Sequence, residues 1–301
     1  MFARQDLRRG NSIYDQRQQL SRETLRNDIS FGRGSCLDSE NKILKEGVSS
    51  CIGDFYPTRI GYFYATVGGD FRPTLTTESY AATSTGDLNE LYKRLSWKTS
   101  KTLLYPYVQP DITGRSNQLI ELRNADGTIN QALFLIDSNA YTGDGLNKYD
   151  FIHDDQVEWY KEQVLREEKE EGHVVPSMIF FHIPLQEYKE AYKLYESGSD
   201  EVKYYFGSND EEMMDKVCCS EYPSKLFDTA KELGSTTGFF CGHDHYNNMS
   251  LEYKGMRLTY GMSIDYLAMP GIARDTKQRG ATLITVHDDG SEDIEQVPLQ
   301  K

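Results

Sequence analysis

Long apolar runs are missing from this sequence of 301 residues. No stretch approaches the roughly 18–20 consecutive apolar residues that a membrane-spanning helix needs. The first thirty residues are polar and rich in arginine, so they do not contain the apolar core of a secretory signal. We therefore predict no association with a membrane and expect a cytoplasmic location.

Cysteine is also scarce, with five residues in the chain. Their number is odd, two of them are adjacent, and none has the spacing of a zinc finger. This pattern argues against a disulfide framework and favours a reducing compartment. The five are Cys36, Cys51, Cys218, Cys219 and Cys241.

Basic residues are outnumbered by acidic ones, 33 against 47, which gives a net charge of −14. A surface of this sign repels the phosphate backbone of nucleic acids, so we expect no nucleic-acid partner. A small phosphorylated substrate stays compatible with this charge, because a bound cation can invert the field locally.

Residues 1–60 have little pattern, whereas the rest of the chain alternates apolar runs with amphipathic stretches. We therefore predict a poorly patterned N-terminal segment over 1–60 and one folded domain over 61–301. Strands that alternate with helices before a strand-rich C-terminus indicate an α/β fold with layered sheets. The predicted strands are 60–67, 132–137, 178–184, 237–241, 256–261 and 281–286, and the predicted helices are 87–95, 155–172 and 225–234.

The second of these helices has a recognisable start and end. Asp155 and Glu158 stand at the spacing of a capping box, so Asp155 is the expected N-cap. The charged run 166–171 is expected to be a solvated end that Gly172 closes.

Histidine is the most informative scarcity, since the chain has six and none precedes residue 153. Two of them stand one residue apart in the stretch 242–245, Gly-His-Asp-His, directly after a predicted strand. His182 lies in the end of another predicted strand. The remaining three, which we assign to the surface, are His153, His173 and His287.

Asp137, His182, His243 and His245 all fall at the ends of predicted strands, where α/β folds bind their ligands. Imidazole is a common ligand of iron, zinc and manganese, and Gly242 permits the sharp turn that a binding loop needs. Two side chains one residue apart in extended backbone point the same way, so the pair can serve one ion or two adjacent ions. The pair indicates a metal or phosphate site, whereas His182 alone would be better explained as a hydrogen-bonded core histidine.

Four pieces of the chain together resemble the calcineurin-like metallophosphoesterases, especially their purple-acid-phosphatase-like branch. They are Phe181-His182-Ile183-Pro184, Gly242-His243-Asp244-His245, the helix start at 155–160 and the stretch 216–219. The resemblance runs from about Thr77 to the C-terminus. The combination of the first two pieces at this separation is specific.

The resemblance implies a sandwich of two mixed β-sheets flanked by helices, with the N-terminal part incomplete. It implies iron, zinc or manganese ions at one edge of the sheets. His182 and His243 would bind the second metal and His245 the first. It also implies hydrolysis of a phosphate mono- or diester by a metal-bound hydroxide.

The chain departs from the family pattern in the first half of the metal site. The family has Asp-x-His, then Gly-Asp, then Gly-Asn-His followed by an acid, and two of these three motifs require a histidine. This chain has Gly68-Gly-Asp-Phe-Arg-Pro-Thr-Leu75 where the third motif is expected. The stretch Cys51–Asp54 is similar to the second motif, but we predict an ordinary turn there. We therefore do not expect full occupancy by two metals and assign no catalytic side chain.

Two hypotheses stay open. The first is a phosphoesterase whose metal site is completed by a carboxylate such as Asp54 or Asp70. The second is a catalytically inactive or truncated relative that acts as a metal- or partner-binding protein. An amidohydrolase also uses His-x-His, but near its N-terminus, whereas here the motif lies four-fifths along the chain.

Overall fold

The computed structural model describes residues 48–54, 110–115, 117–139, 141–142, 148–210, 215–263 and 279–299. The helices in these ranges are α1 (Asp154–Glu171), α2 (Gln186–Glu196) and α3 (Leu226–Leu233). The strands are β1 (Val48–Asp54), β2 (Gln118–Arg123), β3 (Ile129–Leu135), β4 (Ser177–Phe180), β5 (Val202–Phe206), β6 (Thr236–Cys241), β7 (Ser250–Tyr253), β8 (Met256–Tyr260), β9 (Met262–Ser263), β10 (Gly280–Val286) and β11 (Glu292–Pro298).

Seven strands form a mixed sheet in the order β2-β3-β4-β6-β8-β7-β5. The four central strands β3, β4, β6 and β8 are parallel, and they carry the apolar runs from which strands were predicted. The outer strands β2, β7 and β5 pair antiparallel with their neighbours. Helix α1 lies between β3 and β4 in the chain, and helices α2 and α3 lie between β4 and β6. The prediction of an α/β fold is confirmed.

The second sheet has four strands in the order β11-β10-β1-β9. One apolar cluster joins the two sheets and includes Phe180, Phe240 and Ile284. A second cluster lies between the seven-stranded sheet and the helices, with Tyr160 of α1 and Phe227 of α3 fully buried. The large sheet is therefore covered by the small sheet on one face and by helices on the other.

Helix α1 begins one residue before the predicted N-cap, which corrects the prediction for Asp155. The N-cap is His153, and its main-chain N–H donates to the side-chain oxygen of Gln156 at 2.9 Å. The carboxylate of Asp155 instead accepts the main-chain N–H of Thr113 at 2.7 Å. The helix ends as predicted, with Gly172 in the left-handed conformation at φ +75°.

The charged run 166–171 is not wholly solvated, which corrects a second prediction. Glu167 is buried with 0% of its side chain exposed, although its neighbours Arg166 and Glu170 are more than two-fifths exposed. Glu167 is buried because one face of the last turns of α1 still packs against the sheet.

The stretch Cys51–Asp54 is the end of a strand and not the predicted turn. Its backbone pairs with β10 in antiparallel direction and with β9 in parallel direction. The predicted strand 60–67, the predicted helix 87–95, the stretch 68–75 and Asp70 lie outside the described residues. The boundary between residues 60 and 61 therefore stays a prediction.

None of the helices in the described ranges combines the length and the apolar character needed to cross a membrane.

Candidate functional site

The parallel strands β3, β4 and β6 are neighbours, and their carboxyl ends bring Asp137 and two of the predicted metal ligands to one edge of the sheet. Asp137 follows β3, His182 follows β4 and His243 follows β6, each by two residues. The main chain joins the two histidine segments, because Gly242 N–H donates to the carbonyl oxygen of His182 at 3.1 Å. The expected convergence at the strand ends is confirmed for these positions.

The imidazoles of His182 and His243 are in direct contact. Nε2 of His182 lies 3.2 Å from Nδ1 of His243, and the ring planes are perpendicular at 89°. Both residues are only 5% exposed. Without a metal, one ring nitrogen of this pair donates a hydrogen bond and the other accepts it.

The same distance fits two neighbouring ligands of one metal ion. Imidazole nitrogens bind zinc at about 2.0–2.1 Å, so two neighbouring ones are about 2.8–3.0 Å apart on an octahedral ion and about 3.3–3.4 Å apart on a tetrahedral ion. The observed separation of 3.2 Å lies between these two values. The two nitrogens are therefore close enough to share one ion.

His243 occupies a strained turn. The main-chain N–H of Asp244 donates to the carbonyl oxygen of Gly242 at 3.0 Å, and φ of His243 is +77°. This is the positive-φ γ-turn, which is rare and costly for a residue with a side chain. Strain of this kind persists where surrounding contacts enforce it, and it is concentrated at functional sites.

Asp244, between the two histidines, holds this turn and is committed to other partners. Its carboxylate accepts the main-chain N–H of Cys218 at 3.1 Å and the hydroxyl of Tyr260 at 2.7 Å. Asp244 is 3% exposed. These bonds join the motif at 242–245 to the stretch 216–219, which is one of the four pieces that carry the family resemblance.

His245 is 9% exposed, in a turn that the N–H of Asn247 closes on the carbonyl of Asp244. Across the described ranges, no three His, Cys, Asp or Glu side chains stand close enough together to hold a metal ion. The structure thus brings together two of the three predicted ligands, and the assignment of all three to a metal stays a prediction. The structure does not test the two carboxylates considered for completing the site, since only the backbone of Asp54 is described and Asp70 lies outside the described residues.

Asp137 and Ser138, which follow β3, make hydrogen bonds at the same edge of the sheet. Burial raises the pKa of the Asp137 carboxyl to about 7, even though that carboxyl accepts main-chain N–H groups from Arg115 and Asn139 at 2.6 and 2.9 Å. The next residue, Ser138, accepts the N–H of Ile183 at 2.9 Å through its hydroxyl oxygen. This bond fixes the end of β3 to the residue that follows His182.

An aromatic neighbour of the histidine pair has no motif in the sequence. The ring of Tyr149 stands perpendicular to that of His243 with 4.5 Å between the centroids, and Tyr141 stacks on Tyr149 at 5.5 Å. Only the three-dimensional fold brings Tyr149 next to a histidine 94 positions later in the chain.

The other three histidines lie away from this pair. His173 and His287 are exposed, as predicted. His153 is only partly exposed: it caps helix α1, and its Nε2 lies 2.9 Å from the carboxylate of Asp150.

No family model matches the sequence. Among curated proteins, the chain is similar to probable inactive purple acid phosphatase 28 of Arabidopsis thaliana, with 26% identity over 145 residues, which is 48% of this chain and 33% of that protein. Probable inactive purple acid phosphatases 14 and 29 of the same plant are both 28% identical, over 44% and 45% of this chain. The chain spans about a third of the length of these relatives. The three matches support a purple-acid-phosphatase-like family for this chain.

Proposed function

We propose that this chain is a phosphoesterase-like protein of the purple-acid-phosphatase type that binds one metal ion at His182 and His243 and does not turn over phosphate esters efficiently. The observation that carries the proposal is the separation of 3.2 Å between the two ring nitrogens. The names of the three similar plant proteins, each a probable inactive purple acid phosphatase, support the absence of efficient turnover.

One ion fits the chemistry of this edge better than two. The family pattern takes the ligands of the other half-site from motifs with histidine, and the 301 residues contain no histidine before His153. In the described ranges, no third ligand side chain completes a site with the pair. Two imidazoles bind an ion more weakly than a complete set of three or four ligands, so we expect modest affinity.

The chain's own residues would orient the ligands. The main-chain hydrogen bond from Gly242 to His182 holds the two histidine segments side by side. The bond from Ile183 to Ser138 fixes the His182 segment to the end of β3, which limits the reorganisation that binding requires. When bound, an ion supplies a Lewis acid that can polarise a phosphoryl oxygen. It also supplies the positive charge that a chain of net charge −14 needs to attract a phosphate group.

The test is a titration of Zn²⁺ into chelator-treated protein by calorimetry, followed by Co²⁺, whose visible spectrum reports the coordination number. We expect about one ion per chain, and we expect His182→Ala and His243→Ala each to lower the affinity at least about tenfold. His173→Ala is the matched control and should bind as the unsubstituted chain does, because His173 is exposed and precedes β4, whereas His182 follows that strand. A loss in His245→Ala would identify the third ligand.

Hydrolysis of p-nitrophenyl phosphate and of bis-p-nitrophenyl phosphate is measured on the same samples, together with binding of inorganic phosphate. We expect phosphate binding that depends on the metal, with no turnover above that of His182→Ala. Two ions per chain with turnover would show an active phosphoesterase whose second half-site is built from other residues. Equal metal affinity in all variants would exclude the histidine pair as the site.

A further inference from the structure

One face of helix α1 carries a buried stripe that ends in a carboxyl group. Val157, Tyr160, Val164 and Glu167 follow one another at steps of three, four and three residues, and all four are buried. This spacing places them on one face of the helix, against the sheet. An apolar residue is expected at the last position, and the chain has glutamate there.

The carboxyl of Glu167 is enclosed without a hydrogen bond. Its side chain is 0% exposed, and neither Oε1 nor Oε2 has a hydrogen-bond partner among the residues that the structure describes. The guanidinium of Arg166 comes no nearer than 3.8 Å to Oε1. Burying an ionised carboxylate without hydrogen bonds is very unfavourable, so the protonated form is the one that fits this position.

The charges around Glu167 are already paired with one another. On β2, Glu121 accepts hydrogen bonds from Arg123 at 2.6 Å and from Arg166 at 2.7 Å. On α1, Glu170 accepts from the same two arginines at 3.0 and 3.3 Å. A negative charge on Glu167 would therefore add to two carboxylates that share two guanidinium groups.

The remaining groups beside Glu167 do not compensate its charge. Tyr160, one step earlier on the stripe, donates to or accepts from Thr236 at 2.7 Å, and burial raises its pKa to about 12, so it stays neutral near pH 7. The carboxylate of Glu171 accepts the main-chain N–H of Ile129 at 3.1 Å and adds another negative charge to the end of the helix. Burial, followed by the negative charge of Glu121, raises the pKa of Glu167 to about 7.

We propose that the C-terminal half of helix α1 is a pH-sensitive element, which is held on β2 and β3 while Glu167 is protonated and loosens when that carboxyl ionises. The direction follows from linkage, because the folded protein binds this proton more tightly than the unfolded chain does. The contribution of Glu167 to stability is unchanged below its ordinary pKa of 4.5, falls as the pH rises from there to about 7, and is constant above.

The test uses the full chain and two variants, Glu167→Gln and Glu162→Gln. Glutamine has the shape of protonated glutamate and cannot ionise, and Glu162 is an exposed residue on the same helix. Amide hydrogen exchange of residues 164–171 is compared between variant and unsubstituted chain at the same pH. At pH 5 we expect equal rates. At pH 8 we expect the unsubstituted chain to exchange faster than Glu167→Gln by between about tenfold and a hundredfold, since each pKa unit corresponds to a factor of ten.

A carbon-13 titration of the glutamate carboxyls in the unsubstituted chain decides the question even if Glu167→Gln folds poorly. One carboxyl should titrate near pH 7 and should be missing from the spectrum of Glu167→Gln, while Glu162→Gln keeps it. A Glu167 signal that titrates near 4.5, or a ratio of exchange rates that does not depend on pH, would overturn the proposal.

Discussion

The two ends of helix α1 each bury one polar side chain completely, and the two side chains differ in their hydrogen bonds. Gln156, near the histidine pair, is 0% exposed and uses both donors and both acceptor positions of its amide. Glu167, eleven residues later, is equally buried, and its carboxyl makes no hydrogen bond within the described part of the chain. The four partners of Gln156 are His153 N, Asn139 Nδ2, Asn117 Oδ1 and the carbonyl oxygen of Asp137.

The comparison shows that the burial of a polar side chain and the absence of a hydrogen-bond partner are separate properties. At the site end, the amide of Gln156 ties α1 to the end of β3, so its burial fixes the position of Asp137. At the far end, the carboxyl of Glu167 fixes nothing and is tolerated in its neutral form. Asp137 and Glu167 both have a pKa raised to about 7 by burial, yet only Asp137 is held by main-chain N–H groups. The pKa alone would not distinguish the two ends.

The largest effect is expected from Gln156→Ala. This change removes four hydrogen bonds, of which those to Asn117 and to the carbonyl oxygen of Asp137 are buried, and it also leaves a cavity, so we expect the free energy of unfolding to fall by about 4 kcal/mol. Urea denaturation at pH 7 measures it. Gln163→Ala, on the same helix, loses only a hydrogen bond from Arg166 at the surface and should change stability by less than about 0.5 kcal/mol. Similar losses in both variants would mean that the two ends of α1 do not differ as the hydrogen bonds indicate.

Glu167→Leu is expected to raise the free energy of unfolding instead of lowering it. Leucine continues the apolar stripe and removes the carboxyl, so we expect the free energy of unfolding at pH 8 to rise by about 2 kcal/mol. At pH 5 the gain should be smaller, because the carboxyl it replaces is then neutral. Urea denaturation at both values of pH tests this, with Glu162→Leu as the exposed control that should show no such difference. A loss of stability at pH 8 would mean that the carboxyl of Glu167 contributes a favourable contact.

The sequence predicted the central strands and the C-terminal ends of α1 and α3 well, because apolar runs and glycine stops are local signals. It failed where a distant residue decides the structure. Asp155 is not the N-cap, since the helix already begins at Asp154, and the carboxylate of Asp155 binds Thr113, 42 positions earlier. Glu167 lies within a run of charges that is typical of a solvated end, and only the packing of α1 against the sheet buries it.

The candidate site could likewise be predicted only in part. The ends of three parallel strands meet at one edge of a sheet, so the approach of His182 to the motif at 242–245 followed from strand order alone. The hydrogen bonds of Asp244 could not be predicted, because its partners come from the loop at Cys218 and from strand β8. The contact with Tyr149 depends likewise on a loop whose path has no local signal.

The smallest difference in stability is expected at the end of α1 near the site, where hydrogen bonds hold His243 in a strained conformation. At a φ of +77°, glycine is free of the steric conflict that any side chain meets, so His243→Gly should be more stable than His243→Ala by about 1 kcal/mol. Urea denaturation of the two variants measures the difference, and both should lose metal affinity. Lys254 has a φ of +52° in the turn between β7 and β8, so its glycine and alanine variants show what a positive φ costs away from the site. If glycine is favoured at 254 but not at 243, the γ-turn relaxes once the imidazole is gone, and the histidine contact itself is what maintains the strain.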